Sequence, residues 1–283
     1  MHHFDCPFQM NRTLIAEYID KVYIVWNGED IGRLRSTFAS ENLEVEVIRR
    51  DYTQQELTMP GQNRCLLNHS SCWQRIAESG KPSLIVEADF VPCRRFGSLE
   101  IPFDPSLDVP VLAYLYAIGP VIYHFDGRGG FFGHAAGGVA YIITPEAATA
   151  WLELLKDHQK IRDFSQYYQW DVEMPRELWH QKGVRIYIAS KSYGEHGGIP
   201  NPEHKINGVT SWHQADSLVG PLAFMPPYAQ KSLWRYLVFR ARSRARYIYK
   251  FIVGKYFDSW QRFFTLKPER YKKFMFAFHR AFF

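Results

Sequence analysis

Apolar positions recur along this chain with two periods, and the period changes element by element. Lys21–Trp26 (KVYIVW) is a β-branched and aromatic run closed by Asn27-Gly28, which predicts a strand and a turn. From Asp30 to Asn42 the residues Ile31, Leu34 and Phe38 keep helical spacing. Leu43–Ile48 then alternates apolar and acidic residues as a second strand. Asn63–Gly80 sets Leu66, Leu67, Cys72, Trp73 and Ile76 at helical intervals, with Gly80 as the stop. Ser83–Val86 reads as a buried strand that runs into Glu87-Ala88-Asp89.

Val109–Tyr116, Val121–His124, Val139–Ile143 and Val184–Ala189 read as further strands. Gly127–Gly138 reads as a glycine-rich loop. Pro145 opens a helix to Lys156, since proline at the first helical position gives up only an N–H that has no partner there. Asp171–Gln181 is another helix, and Ser192–Ala215 is a long polar segment rich in Gly, Pro and His, of the kind that carries function. Strands alternating with helices predict an α/β domain with a mainly parallel, Rossmann-like sheet, in which ligands bind beyond the C-terminal strand ends.

Composition narrows the class. The 283 residues are 46% hydrophobic and 22% charged, close to globular averages, so disordered and collagen-like chains are excluded. No stretch approaches the roughly 18–20 apolar residues of a membrane-spanning helix. Met1–Arg12 lacks the apolar centre of a signal peptide, and Cys6, Cys65, Cys72 and Cys93 show no Cys-x-x-Cys spacing. Reduced thiols in a cytoplasmic protein are therefore expected.

The net charge of +5 conceals an asymmetry. Residues 231–283 hold 14 Lys and Arg against two acids, Asp258 and Glu269, and 17 aromatic residues; residues 1–230 are net acidic. A net acidic α/β domain over 1–215 is thus expected to precede a basic, aromatic helical tail over 216–283, whose partner carries negative charge.

The candidate chemistry begins at Glu87 and Asp89. Two carboxylates one residue apart at a strand end repel unless a cation or donors compensate, and Mn2+ or Mg2+ suits oxygen ligands and binds diphosphate as well. The plainer alternative makes Asp89 a helix cap.

The stretch Cys65-Leu-Leu-Asn-His69-Ser-Ser-Cys-Trp73-Gln-Arg-Ile, followed by Pro82-Ser-Leu-Ile-Val-Glu87-Ala-Asp89, resembles the central block of glycosyltransferase family 25, the enzymes of lipooligosaccharide and lipopolysaccharide assembly. Arg64-Cys65 stands for the family's Gly-Cys, Asn68-His69 for Ser-His, and Glu87-Ala88-Asp89 for Glu-Asp-Asp, with the middle acid missing. Val22-Tyr-Ile-Val25 resembles the opening strand, with Asn27, Arg33 and Arg35 as the remnant of Asn-Leu-x-x-Arg. Gly138-Val-Ala-Tyr141-Ile-Ile-Thr-Pro-Glu-Ala147 resembles the glycine-tyrosine strand and its helix, and Trp170-Asp171 stands at the Pro-x-Asp element. The blocks run from about residue 20 to about residue 190.

This resemblance implies a GT-A-like fold, a metal-dependent UDP-sugar donor site and inverting transfer of a hexose, galactose foremost, to a lipid-linked glycan. Such a reaction needs a cation on the leaving diphosphate, a base for the acceptor hydroxyl, and exclusion of water. Asp89 is expected as the main metal ligand, with Glu87 on the metal or the donor ribose. Asp171 is the leading base and Glu173 the reserve, although Asp171 equally suits a helix cap. Asn27 and Arg33 are expected toward the donor base or phosphates, although a residue such as Arg33 is more often a solvated helix position. His69 is either a satisfied core residue or part of the donor site. His134 either lines the donor or acceptor pocket or sits in a plain connection. The segment Tyr193-Gly-Glu195-His196-Gly-Gly-Ile-Pro-Asn201-Pro-Glu203-His204 offers a third metal ligand, His204 among them, a diphosphate clamp, or simply a surface loop.

In the tail, Leu233–Lys255 interleaves aromatic and aliphatic residues with Arg240, Arg242, Arg244, Arg246 and Lys250. Three partners fit that pattern: an anionic membrane surface at the inner face of the cytoplasmic membrane, the domain's own core, and, least favoured, nucleic acid. A non-catalytic membrane-peripheral scaffold is the competing function.

Overall fold

The computed structural model describes residues 13–125, 130–198, 203, 206–207, 213–265 and 270–282. Its elements in chain order are α1 (Ile15–Tyr18), β1 (Val22–Val25), α2 (Gly32–Ser40), β2 (Val45–Ile48), α3 (Gln54–Leu57), α4 (Gly61–Ser79), β3 (Ser83–Glu87) and β4 (Phe90–Pro92). The second half adds β5 (Val111–Tyr114), β6 (Ile118–Phe125), β7 (Phe131–Ala136), β8 (Ala140–Ile143), α5 (Pro145–Ile161), α6 (Trp170–Lys182), β9 (Arg185–Ile188) and β10 (Gly194–His196). Three tail helices close the chain: α7 (Leu233–Ile252), α8 (Trp260–Thr265) and α9 (Arg270–Phe282).

Eight strands form one sheet in the order β2-β1-β3-β8-β5-β9-β7-β6. β1 pairs parallel with β2 and β3, and β5 with β9, whereas β8 and β7 run against their neighbours. Most strands therefore share one direction, as expected, and the fold is α/β. β1 and β3 read as continuous apolar runs because both of their faces are covered. Tyr23, Val25 and Ile85 face one core with Leu66, Trp73 and Tyr141. Val22, Ile24, Leu84 and Val86 face the other with Leu34 and Phe38. Glu87 follows Ile85 by two residues, so strand alternation turns its side chain toward α4.

Local signals act where the sequence puts them. Gly80 adopts φ 66° and ends α4. The Thr144 side chain caps α5, with Pro145 in its first turn. One expectation fails: much of the glycine-rich loop over 127–138 is strand β7. Its pairing with β6 crowds residue 133 so closely that a Cβ there would overlap the Val121 carbonyl oxygen, so a glycine in this segment serves a strand.

The tail does not stand apart. Tyr247, Tyr256, Phe257, Phe263, Phe276 and Ala277 belong to the core that contains Tyr23 and Trp73. Arg280 is fully buried; its Nη2 donates to Asp216 Oδ1 at 2.8 Å and to Ser192 Oγ at 3.1 Å, and its Nη1 donates to the Ala189 carbonyl at 3.2 Å. Arg240 pairs with the buried Glu195 at 2.8 Å. A shared core, the Arg240–Glu195 ion pair and the hydrogen bonds of Arg280 to Ala189 and Ser192 thus link residues 216–282 to residues before 216, and several tail rings pack internally. Among the described residues no helix is long and apolar enough to cross a membrane.

Candidate functional site

Three side chains converge beyond the C-terminal end of β3. One ligand atom from each of Glu87, Asp89 and His196 lies within 4.8 Å of the others. Glu87 is fixed by its backbone, whose N–H donates to the Val139 carbonyl at 2.9 Å. Asp89 sits in the turn to β4, and its carbonyl accepts the Gly197 N–H at 2.9 Å. His196 arrives from far along the chain because β10 pairs antiparallel with β4. Alternation along β10 sends Glu195 inward to Arg240 and the Ala215 N–H, and His196 the other way, so that its Nε2 lies 2.9 Å from Asp89 Oδ2. Burial opposes protonation of this imidazole, but the Asp89 carboxylate, its hydrogen bond, and the charges of Glu87 and Glu195 outweigh it and raise the His196 pKa to about 9. The imidazolium is the compensating cation that two neighbouring carboxylates require.

Gly198 closes this corner. A Cβ at that position would stand 2.1 Å from Asp89 Oδ2, so only glycine admits the carboxylate. Asp89 Oδ1 and His196 Nδ1 are buried without hydrogen-bond partners, as is His69 Nε2 nearby. Orphaned acceptors and nitrogens in one cluster are what a bound ligand would satisfy.

His69 is a core residue that also borders the cluster. It is buried and stacks on Tyr141, with ring centroids 5.8 Å apart, and its Nε2 lies 3.5 Å from Glu87 Oε1. Trp73 Nε1, a donor only, donates to the Tyr141 hydroxyl at 2.8 Å, and that hydroxyl lies 2.8 Å from His69 Nδ1. The arrangement that uses every donor has Tyr141 donate to Nδ1, which leaves the Nε2 proton facing Glu87.

Glu87 lies between two clefts. One is lined by Asn27, Glu29, Tyr52, Arg64, Cys65 and Asn68 together with Glu87 and Asp89. The other is lined by Gln62, Gly137, Tyr167, Trp170, Asp171 and His196 together with Glu87. Asp171 is not a cap, since Gln169 holds that position and Asp171 is the second residue of α6. Its Oδ1 accepts from Gln62 Nε2 at 3.2 Å. Burial, then the Glu87 charge, raise its pKa to about 6, while N–H donors from its own backbone, Gly137 and Gln62 pull the other way.

Asn63 on α4 secures that placement. Its Nδ2 donates to the carbonyls of Phe164 and Gln166 at 2.8 and 2.7 Å, and its Oδ1 accepts the Tyr168 N–H at 3.1 Å. The loop leading into α6 is thereby tied to α4, and Trp170 Nε1 donates to the Gln62 carbonyl at 3.2 Å.

Other expected residues lie elsewhere. Arg33 is exposed on α2, outside the residues that line the two clefts. Glu173 is paired with Arg162, likewise away from them. His134 lines a separate cavity with Tyr123, Pro175, Arg176 and Trp179. His204 lies outside the described residues, and the same polar segment contributes His196 instead. Sequence reasoning missed Arg64 and Tyr52 on the Asn27 side. Arg64, Cys65 and Asn68 share one face of α4, a spacing that was visible.

No family model matches the sequence, and no curated protein matches it. A solved structure similar to this chain is the crystal structure of a glycosyltransferase involved in the glycosylation of the major capsid of PBCV-1. The two share 9% identity and a TM-score of 0.37, over 60% of this chain and 80% of that one. At that distance nothing further rests on the likeness.

Proposed function

We propose that the chain is a metal-dependent glycosyltransferase that moves a hexose, galactose foremost, from a UDP-sugar to a lipid-linked bacterial surface glycan with inversion. The observation that carries this reading is the position of Glu87, which borders both clefts and stands with Asp89 and His196 in one cluster. Two carboxylates and an imidazole fit a divalent ion, and the nitrogen ligand favours Mn2+ over Mg2+. When bound, the ion would supply charge neutralisation for the leaving diphosphate.

The chain's own residues would do the rest. Asn27 and the Tyr52 ring would hold the nucleoside, and Arg64, with its Nε buried and without a partner, would meet a phosphate oxygen. On the other side Asp171 would accept the acceptor hydroxyl proton, a task suited to a carboxylate with a raised pKa. His69 would hold Glu87 in place through its chain to Tyr141 and Trp73. Residues Leu233, Trp234 and Leu237 form an exposed apolar stripe on the first turns of α7, and basic residues follow it. That supports an anionic membrane surface at the cytoplasmic face as the place of action.

Thermal shift tests the donor site. UDP with Mn2+ should raise the melting temperature, a chelator should abolish the rise, and Glu87→Gln and Asp89→Asn should each remove it. A scaffold without a donor site would show no shift in the unmodified protein, and that result would end the transferase reading.

A further inference from the structure

Cys65 and His69 stand four residues apart on α4 and so share one face of that helix, and the face meets Glu87, the last residue of β3. One ligand atom from each of the three lies within 4.8 Å of the others. This donor set joins a sulfur, a nitrogen and an oxygen. It shares Glu87 with the Asp89–His196 cluster and is otherwise separate from it.

The spacing is that of a tetrahedral zinc site. With Zn–S of about 2.3 Å and Zn–N and Zn–O of about 2.0–2.2 Å, tetrahedral angles set the sulfur about 3.6 Å and the nitrogen about 3.4 Å from the carboxylate oxygen. Cys65 Sγ lies 3.8 Å from Glu87 Oε1, and His69 Nε2 lies 3.5 Å from the same oxygen. His69 is fully buried, and its Nε2 has no hydrogen-bond partner. A buried ring nitrogen left unbonded beside a thiol and a carboxylate is what a metal ion would satisfy.

The other side of the ring is already arranged for that role. His69 Nδ1 lies 2.8 Å from the Tyr141 hydroxyl, whose oxygen has lone pairs for an Nδ1–H as well as for the Trp73 indole N–H. That tautomer frees Nε2, and an outer hydrogen bond of this kind orients metal-binding imidazoles. Burial, then the Glu87 charge, push the Cys65 pKa well above its usual range, so an ion that binds must displace the thiol proton to solvent. The resulting thiolate and carboxylate balance the two charges of the ion. Cys65 and Glu87 both line the Asn27 cleft, which gives the ion a route in and its fourth position a water.

We propose that Cys65, His69 and Glu87 form a Zn2+ site, in which the thiolate, the imidazole Nε2 and the carboxylate hold the ion and the fourth position faces the Asn27 cleft. The thiolate selects Zn2+ over Mn2+ and Mg2+, which prefer oxygen ligands. The site does not depend on the transferase reading.

Co2+ is the spectroscopic probe. A thiolate ligand gives it a near-ultraviolet sulfur-to-cobalt charge-transfer band, and tetrahedral coordination gives it strong visible bands. The full chain is titrated with Cys6→Ser in place, because His2, His3 and Cys6 are a rival donor set in the sequence. Cys72 and Cys93 are fully buried. Both sets of bands should appear and should fade when Zn2+ is added. Cys65→Ser, which keeps the shape of the side chain, should abolish the charge-transfer band. Glu87→Gln, also close in shape, should weaken Zn2+ binding about tenfold or more, read by competition with a chromophoric chelator. A charge-transfer band that is absent from the Cys6→Ser protein, or that survives Cys65→Ser, overturns the proposal, as does Zn2+ binding that Glu87→Gln leaves unchanged. Asp89→Asn separates this site from the donor site: it should keep the cobalt bands while losing the UDP–Mn2+ shift. Loss of the cobalt bands in Asp89→Asn would put the ion in the other cluster and overturn the proposal. Cobalt bands in a protein that shows no UDP shift leave this site standing while the transferase reading falls.

Discussion

His196 Nε2 stands 2.9 Å from Asp89 Oδ2, and this contact joins the short β10 strand to the turn that follows β3. The imidazolium therefore occupies the position where a cation is wanted, and a metal that enters must displace its proton. His196→Ala should weaken Mn2+ binding roughly ten- to a hundredfold and Mg2+ binding less, since Mg2+ gains little from a nitrogen ligand. Titration of each metal against the melting temperature measures the difference. Equal losses for the two ions would remove His196 from the ligand set.

Asp171 makes opposite demands on stability and activity. Its pKa is raised, so the folded state holds its proton more tightly than the unfolded chain does. The stability this contributes is complete below about pH 4 and is lost as pH rises through about 6. Asp171→Asn should therefore stabilise the protein at pH 7, by up to about 2 kcal/mol, and should abolish sugar transfer. In the wild type kcat should fall as pH drops below about 6. Denaturant melts and a pH–rate profile check the pair of outcomes.

Asn63 acts through the loop it holds. Asn63→Leu removes three hydrogen bonds, two of them buried, and should cost about 3 kcal/mol. Because the Asn27 cleft is built from other residues, the UDP–Mn2+ shift should survive while transfer falls. Loss of the shift as well would mean that Asn63 supports the whole site rather than the Asp171 side.

His134 governs an acid response away from the site. Burial, then the Arg176 charge, lower its pKa to about 4, so the folded protein keeps the ring neutral while the unfolded chain protonates it near pH 6.5. Its contribution is intact above pH 6.5 and is lost as pH falls toward 4, by about 3 kcal/mol at most. His134→Gln should flatten that part of the stability profile when urea melts at pH 7 and pH 4.5 are compared.

Arg280 and Asp216 form a fully buried pair. Arg280→Ala strands the Asp216 carboxylate and should cost about 3–5 kcal/mol, and the double change Arg280→Met, Asp216→Leu should recover much of it. Thermal melts of the three proteins measure the cycle.

What the sequence made legible was local. The apolar run into Glu87, the stop at Gly80 and the start at Pro145 are each set by a few neighbouring residues, and each lies where the pattern put it. The site was half legible, because Glu87, Asp89, Asn27 and Asp171 sit at the ends of such elements. His196 was not, because it reaches Asp89 only through the pairing of β10 with β4, and no spacing in one segment reveals its distant partner. Arg33 is the solvated helix residue that its spacing also allowed, and His134 lines another cavity, because periodicity gives the face of an element and not what that face meets. The tail rings were read for their chemistry, and their placement in the core depends on contacts with the whole sheet.

The position of Arg280 bears on how a ribosome delivers this molecule. Asp216 emerges 64 residues before its guanidinium. Until Arg280 is made, a carboxylate meant for a dry interior lacks the guanidinium that holds it. A chain truncated before Arg280 should leave that carboxylate unpaired, a gap that quality control can recognise.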